Sequence, residues 1–155
     1  MTIRGDAVTE SNLASGFEAP ALLGRIARAI NDHDLDGLTD AFRQDVDSRQ
    51  PVHPHRDFQG ADQIRTNWTA IFEGIPDISA HLIRSATNGH TVWAEWEWRG
   101  TRGDGQPHHM RGVTILGERG GRAAWVRIFM EPIDLAGDDI DGAIRHMTSS
   151  AGGPR

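Results

Sequence analysis

Residues 90–133 read HTVWAEWEWRGTRGDGQPHHMRGVTILGERGGRAAWVRIFMEPI, and the alternation within this stretch decides the fold. β-Branched and aromatic residues are concentrated in runs, and the runs break at Gly103-Asp104-Gly105 and at Gly120-Gly121, the residue types of tight hairpins. Asn88-Gly89 marks one more turn upstream. Four antiparallel strands are therefore expected over residues 77–86, 90–102, 106–118 and 122–133. A hairpin centred on Asp104 sets Glu97 opposite Arg111 and Arg99 opposite His109. A hairpin centred on Gly120 sets Arg111 opposite Phe129 and His109 opposite Glu131. The two parities agree. Glu95, Glu97, Arg99, His109, Arg111, Val113, Arg127, Phe129 and Glu131 share one face, and Val92, Ala94, Trp96, Trp98, Met110, Leu116, Val126, Ile128 and Met130 share the other.

Working back toward the N-terminus, the period lengthens. Leu22, Leu23, Ile26, Ala27 and Ile30 follow Pro20 at the spacing of an amphipathic helix ending near Asn31. Asp34 is placed to cap a second helix carrying Leu35, Leu38, Ala41 and Phe42. A short extended run covers residues 45–52 and is stopped by Pro51 and Pro54. Gly60 opens a third helix with Ile64, Trp68, Ile71 and Phe72 on one face. Helices first and a meander afterwards mean α+β. Residues 1–18 lack any period and read as a mobile arm, 19–134 as the one domain, and 135–155 as a tail with a short helix near 138–147.

Composition narrows the chemistry. With 155 residues, one domain can bury a core without staples. Cysteine is absent, which removes disulfides, thiolate metal sites and cysteine nucleophiles; tyrosine is absent too, which removes a phenolic acid. The 16 basic residues are all arginine, the codon bias of a GC-rich bacterial genome, and they are scattered among 22 acids at a net charge of −6. That is not the footprint of a nucleic-acid binder. No signal-like or membrane-length apolar run is present, so a cytoplasmic protein is expected with no membrane partner. His53, His55, His108 and His109 do not make a three-ligand metal spacing, and no metal is expected. Neither glycine pair precedes a helix, and no serine stands in a Gly-x-Ser-x-Gly elbow.

The two faces of the sheet admit two readings. In one, the apolar face packs under the helices and the charged face is a solvated ladder. In the other, a curved sheet wraps the charged face around a pocket and buries the apolar face in a dimer.

Helix, helix, short strand, helix and long meander, together with Phe58-Gln59-Gly60-Ala61-Asp62-Gln63-Ile64, Arg99-Gly100-Thr101 and the run from Gly121-Arg122 through Phe129 to Glu131, resemble the nuclear-transport-factor-2-like superfamily. The likeness is to its SnoaL-like polyketide cyclase, limonene epoxide hydrolase and ketosteroid isomerase branches, over residues 20–133. It implies a cone-shaped roll in which three N-terminal helices and a curved antiparallel sheet enclose one pocket. Laid over the epoxide hydrolase branch, its two acids fall on Glu97 and Glu131, its arginine on Glu95, and its water-positioning tyrosine and asparagine on Gln50 and Val52. The isomerase base falls at or beside Gln50, which takes no proton at neutral pH.

With the resemblance added, the charged face is expected to line the pocket. Glu97, Glu131, Arg111, Glu95 and His109 become the catalytic candidates, Glu97 as base, Glu131 as acid and Arg111 holding negative charge. Gln50, His53, His55, Trp68, Ile71, Phe72, Val113 and Phe129 become the substrate-binding candidates. The expected function is a cofactor-free acid–base enzyme acting on a small hydrophobic natural product by isomerisation, aldol-type cyclisation or epoxide opening. Trp96, Trp98, Val126, Ile128 and Met130 would then join two copies into a homodimer. The alternative is a non-catalytic ligand-binding or assembly module on the same fold.

Overall fold

A computed structural model describes residues 20–149; the expected N-terminal arm and residues 150–155 lie outside the described residues. α1 (Ala21–Asn31) buries Leu22, Leu23, Ile26, Ala29 and Ile30 along one stripe. α2 (Leu35–Asp40) starts where the Asp34 carboxylate accepts the Gly37 N–H at 2.9 Å. β1 (Phe42–Arg49) follows, then a 3-10 turn over Pro54–Arg56 and a two-residue strand, β2 (Phe58–Gln59), too short to leave an alternation in the sequence. α3 (Ala61–Gly74) precedes the meander β3 (Ser79–Asn88), β4 (Thr91–Thr101), β5 (Pro107–Arg119) and β6 (Arg122–Pro132). α4 (Ile140–Thr148) closes the described chain, with Asp139 accepting the Gly142 N–H at 2.8 Å. Among the described residues, no helix is long and apolar enough to cross a membrane.

The six strands form one curved, unclosed sheet in the order β2-β1-β6-β5-β4-β3, with helices packed on it, the α+β cone expected from the sequence. Among the described strands, only β1 and β6 run parallel. The β4–β5 register matches expectation: Glu97 pairs with Arg111 and Arg99 with His109. The β5–β6 register does not. Gly120 and Gly121 both have positive φ, 59° and 76°, and together make a two-residue turn that pairs Arg119 with Arg122. A bulge between Gly117 and Glu118 and their partners adds another residue on β6, so Arg111 meets Glu131 and Val113 meets Phe129. The slip totals two residues, so each residue keeps its face.

The core lies between the helices and the apolar face of the sheet. Val92, Ala94, Trp96, Leu116, Val126 and Met130 are buried there with the α1 stripe, each large side chain contributing about 1.5–3 kcal/mol by leaving water. One polar grip between the layers is Asn31, whose amide donates to Ala80 O at 3.0 Å and accepts from Ala80 N at 2.7 Å, tying the end of α1 to β3. At Gly112 the neighbouring strand comes so close that a Cβ would overlap the Phe129 carbonyl oxygen.

Candidate functional site

The curvature leaves a cavity of about 300 Å³ between α1, α3 and the inner face of the sheet. Ile26, Ile30, Ile64, Trp68 and Ile71 wall it from the helices, and Trp96, Trp98, Met110, Ile128 and Met130 from the sheet. Its polar lining consists of Ser48 and Gln50 at the end of β1, Arg56 on the 3-10 turn, Asn67 on α3, and His108 and Thr114 on β5; among the described residues, no carboxylate lines it. A wider depression of about 550 Å³ lies on the outer face around Asp45, Asp47, Trp93, Trp125 and Arg127. It is more open to solvent, and its Asp47 is already held by Arg49 at 3.1 Å and Arg127 at 3.0 Å. The inner cavity is the better enclosed and the more apolar, and it is the candidate site.

Two indoles on the inner face of β4 differ in their partners. Trp96 donates to Thr114 Oγ1 at 2.9 Å. Trp98 Nε1 is buried and has no hydrogen-bond acceptor among the described residues. The Trp98 ring is held edge-on by Trp68 at 5.5 Å, and Trp68 leans on Phe72 at 5.5 Å. His108 stands opposite Gly100, one inward position along β5 from Met110, the residue that pairs with Trp98. Burial, followed by the nearby charges of Arg102 and His109, pushes the His108 pKa below its ordinary 6.5, so at neutral pH the imidazole is uncharged and can accept a proton. Gln50 Oε1 lies 3.5 Å from the Arg56 guanidinium, and the Gln50 N–H donates to Asp57 at 2.8 Å, which fixes the turn leaving β1.

The expected pocket face proves to be the outer one. Glu97 points away from the cavity and is 12% exposed, where it accepts from His109 Nε2 at 2.6 Å, from Arg99 and, at 3.2 Å, from Arg111. Burial opposes its ionisation, but the hydrogen bonds from His109, Arg99 and Arg111 outweigh that and hold its pKa at about 2. Glu95 pairs with Arg84 at 2.6 Å and Glu131 with His53 at 2.7 Å. Glu131 thus has His53 and a cross-strand Arg111 as neighbours, where His109 was expected opposite it. Val113 and Phe129 share the outer face, and His55 sits beside His53, their rings 6.2 Å apart, without reaching the cavity lining. Of the expected binding residues, Gln50, Trp68 and Ile71 line the cavity, while Phe72 packs behind Trp68.

The reason for the reversal is energetic. Burying a row of carboxylates and arginines costs several kcal/mol per unpaired ion, whereas the apolar row with its two indoles gains by facing the apolar stripes of the helices. Trp96, Trp98, Val126, Ile128 and Met130 therefore line the inside and do not form the surface patch through which a dimer was expected. Ser48, Arg56, Asn67, Trp98, His108 and Thr114 were not among the sequence candidates. A signal for His108 existed: it shares parity with Met110 and Leu116, a lone titratable residue in an apolar row.

A sequence profile described as the SnoaL-like domain matches residues 23–126. No curated protein matches the chain. Among solved structures, a protein of Shewanella putrefaciens CN-32 assigned as a SnoaL-like polyketide cyclase superposes with a TM-score of 0.67 at 14% identity, covering 84% of this chain and 91% of its own. A protein of Catenulispora acidiphila DSM 44928 with a ketosteroid isomerase-like fold, solved with trimethylamine, gives 0.65 at 17% identity, covering 72% and 86%. An epoxide hydrolase of M. tuberculosis, LEH-like, gives 0.62 at 13% identity, covering 72% and 81%. At such identities the likeness carries the fold and not an activity.

Proposed function

The chain belongs to the SnoaL-like domain family, and from that premise we propose that it holds a small, largely apolar molecule in the inner cavity and acts on it by proton transfer through His108. The observation that carries this reading is a partly buried imidazole, its pKa lowered by burial, in a cavity lined mostly by apolar side chains. Isomerisation, aldol-type cyclisation and epoxide opening each turn on moving a proton beside an oxygen, and a base with a pKa below the working pH is ready for that task. Solved neighbours assigned as a polyketide cyclase and an epoxide hydrolase are in keeping with such chemistry. Glu97, Glu131, Arg111, Glu95 and His109 have no place in this reading except as the outer scaffold of β4, β5 and β6.

The lack of a carboxylate among the described lining residues favours a second reading, a binding module without catalysis. Deuterium uptake separates the two. Wild-type protein should accelerate exchange of the acidic protons of 2-tetralone or 2-acetylnaphthalene, followed by NMR. His108→Gln should lower that acceleration by roughly a hundredfold or more while leaving ligand affinity within a few fold. Tight binding with no acceleration in the wild type would leave the binding module.

A further inference from the structure

We propose that α4 is a lid, whose apolar stripe closes over the mouth of its own chain's cavity when the cavity is filled. The proposal rests on the cavity being a ligand site, and it goes further by saying how the bound molecule is shut away from water.

Ile140, Ile144 and Met147 recur at the three-to-four spacing of one helical face, and all are exposed, Ile140 and Met147 at 74% each; Leu135, just ahead of the helix, is 91% exposed. A stripe of this kind gains by leaving water, so it calls for a surface to cover it. Among the described residues, every hydrogen bond and ion pair of residues 134–149 stays inside that segment, which leaves α4 free to swing as a unit. The last tie to the cone is the Ile133 N–H, which donates to His109 O at 3.0 Å, next to His108 of the cavity lining.

The mouth lies at the same end of the cone. Leu38, Leu116 and Val126 of the lining are buried whereas Arg56 is exposed, which puts the opening at the loop that follows β1. That loop touches the root of the tail, His53 Nε2 lying 2.7 Å from Glu131 Oε1. Residues 134–139 can span about 20 Å, at roughly 3.3–3.6 Å each, enough to lay a helix about 13 Å long across the opening. The landing is apolar: Val52 is exposed on the loop, and Phe58, Trp68 and Ile71 of the lining are only half-buried. The charges match as well. Among the described residues, the Arg56 guanidinium has only Gln50 Oε1 as a side-chain partner, at 3.5 Å, and Asp141, in the first turn of α4, has no ion-pair partner.

The test is backbone hydrogen exchange, read by mass spectrometry on the full chain with and without 2-acetylnaphthalene. Exchange in residues 138–149 should slow by roughly tenfold or more when the probe is bound. Combining Ile140→Gln, Ile144→Gln and Met147→Gln changes only exposed positions and keeps good helix formers. In that variant the slowing should vanish, and the probe should leave roughly tenfold faster in stopped flow. Probe binding with no change in α4 exchange would overturn the lid and leave the cavity as a ligand site. Slowing that follows protein concentration and not the probe would overturn it by giving the stripe to a second copy. An unaltered dissociation rate in the variant would overturn it by showing that α4 covers something other than the mouth. Binding of neither 2-acetylnaphthalene nor 2-tetralone by calorimetry would overturn both the lid and the reading of the cavity on which it rests.

Discussion

Three donors converge on Glu97: His109 at 2.6 Å, Arg99 at 2.5 and 2.8 Å, and Arg111 at 3.2 Å. A carboxylate so held is committed to its ionised form, and its pKa of about 2 against an ordinary 4.5 turns that commitment into a dependence on pH. Because the folded value is the lower one, the stabilisation is complete above pH 4.5 and is lost as pH falls from 4.5 toward 2. Glu97→Gln should therefore lower the urea-unfolding free energy at pH 7 by about 1–3 kcal/mol, and the gap between the two proteins should narrow through that acid window. Deuterium exchange catalysed by His108 should be unchanged in the same variant. For His108 the lowering comes first from burial. With its folded pKa below 6.5, the acid limb of a His108-dependent rate profile should bend below pH 6.5 and disappear in His108→Gln. Stability should also fall as pH drops below 6.5, because the unfolded chain takes up that proton first.

The β5–β6 hairpin is where local sequence reading stopped short. The glycine pair announced a turn, and alternation kept every residue on its proper face, but neither announces how many residues the turn spans nor that β6 carries an extra one. Both features depend on cross-strand fit. The same hairpin contains a tight backbone approach on the inner face: Gly112 lies between Trp96 on β4 and Met130 on β6, against the Phe129 carbonyl. Gly112→Ala should cost about 1–3 kcal/mol or more, since the clash is with backbone and can be relieved only by parting the strands. Gly74, at the end of α3, has open space where a methyl group would stand, with no atom within 4 Å, so Gly74→Ala should leave the melting temperature unchanged or slightly raised. Thermal unfolding of the pair checks both expectations, and equal effects would contradict the packing described for β5 and β6.

At the scale of the molecule, the order of helices and strands made the α+β cone legible, because periodicity is a local property that each segment carries by itself. Which face of the sheet is enclosed was not legible in the same way. Alternation defines two faces and is silent on what covers them. The deciding information lay elsewhere in the chain, in the stripe of Leu22, Leu23, Ile26, Ala29 and Ile30 that itself required an apolar partner. With that stripe satisfied by the inner face, the large apolar side chains that the sheet still exposes are on its outer face, Trp93 at 47% and Phe129 at 37%. A homodimer through the apolar part of the sheet would have to use that surface, and light scattering tests whether one forms. Light scattering at micromolar concentration should give twice the chain mass for the wild type and a monomer for Trp93→Glu combined with Phe129→Glu; a monomeric wild type would remove the dimer.

The distribution of the indoles has an optical consequence. With five tryptophans and no tyrosine, the near-ultraviolet emission of the protein is tryptophan light alone. Trp68, Trp96 and Trp98 face the cavity, whereas Trp93 and Trp125 border the outer depression. The molecule thus carries two sets of chromophores in different surroundings, a shielded blue-emitting set and a wetter red-emitting one. A ketone entering the cone should quench the blue edge of the spectrum, while a protein closing over the outer sheet should shift the red edge. One emission spectrum therefore distinguishes an occupied interior from a covered exterior, with no label added to the chain.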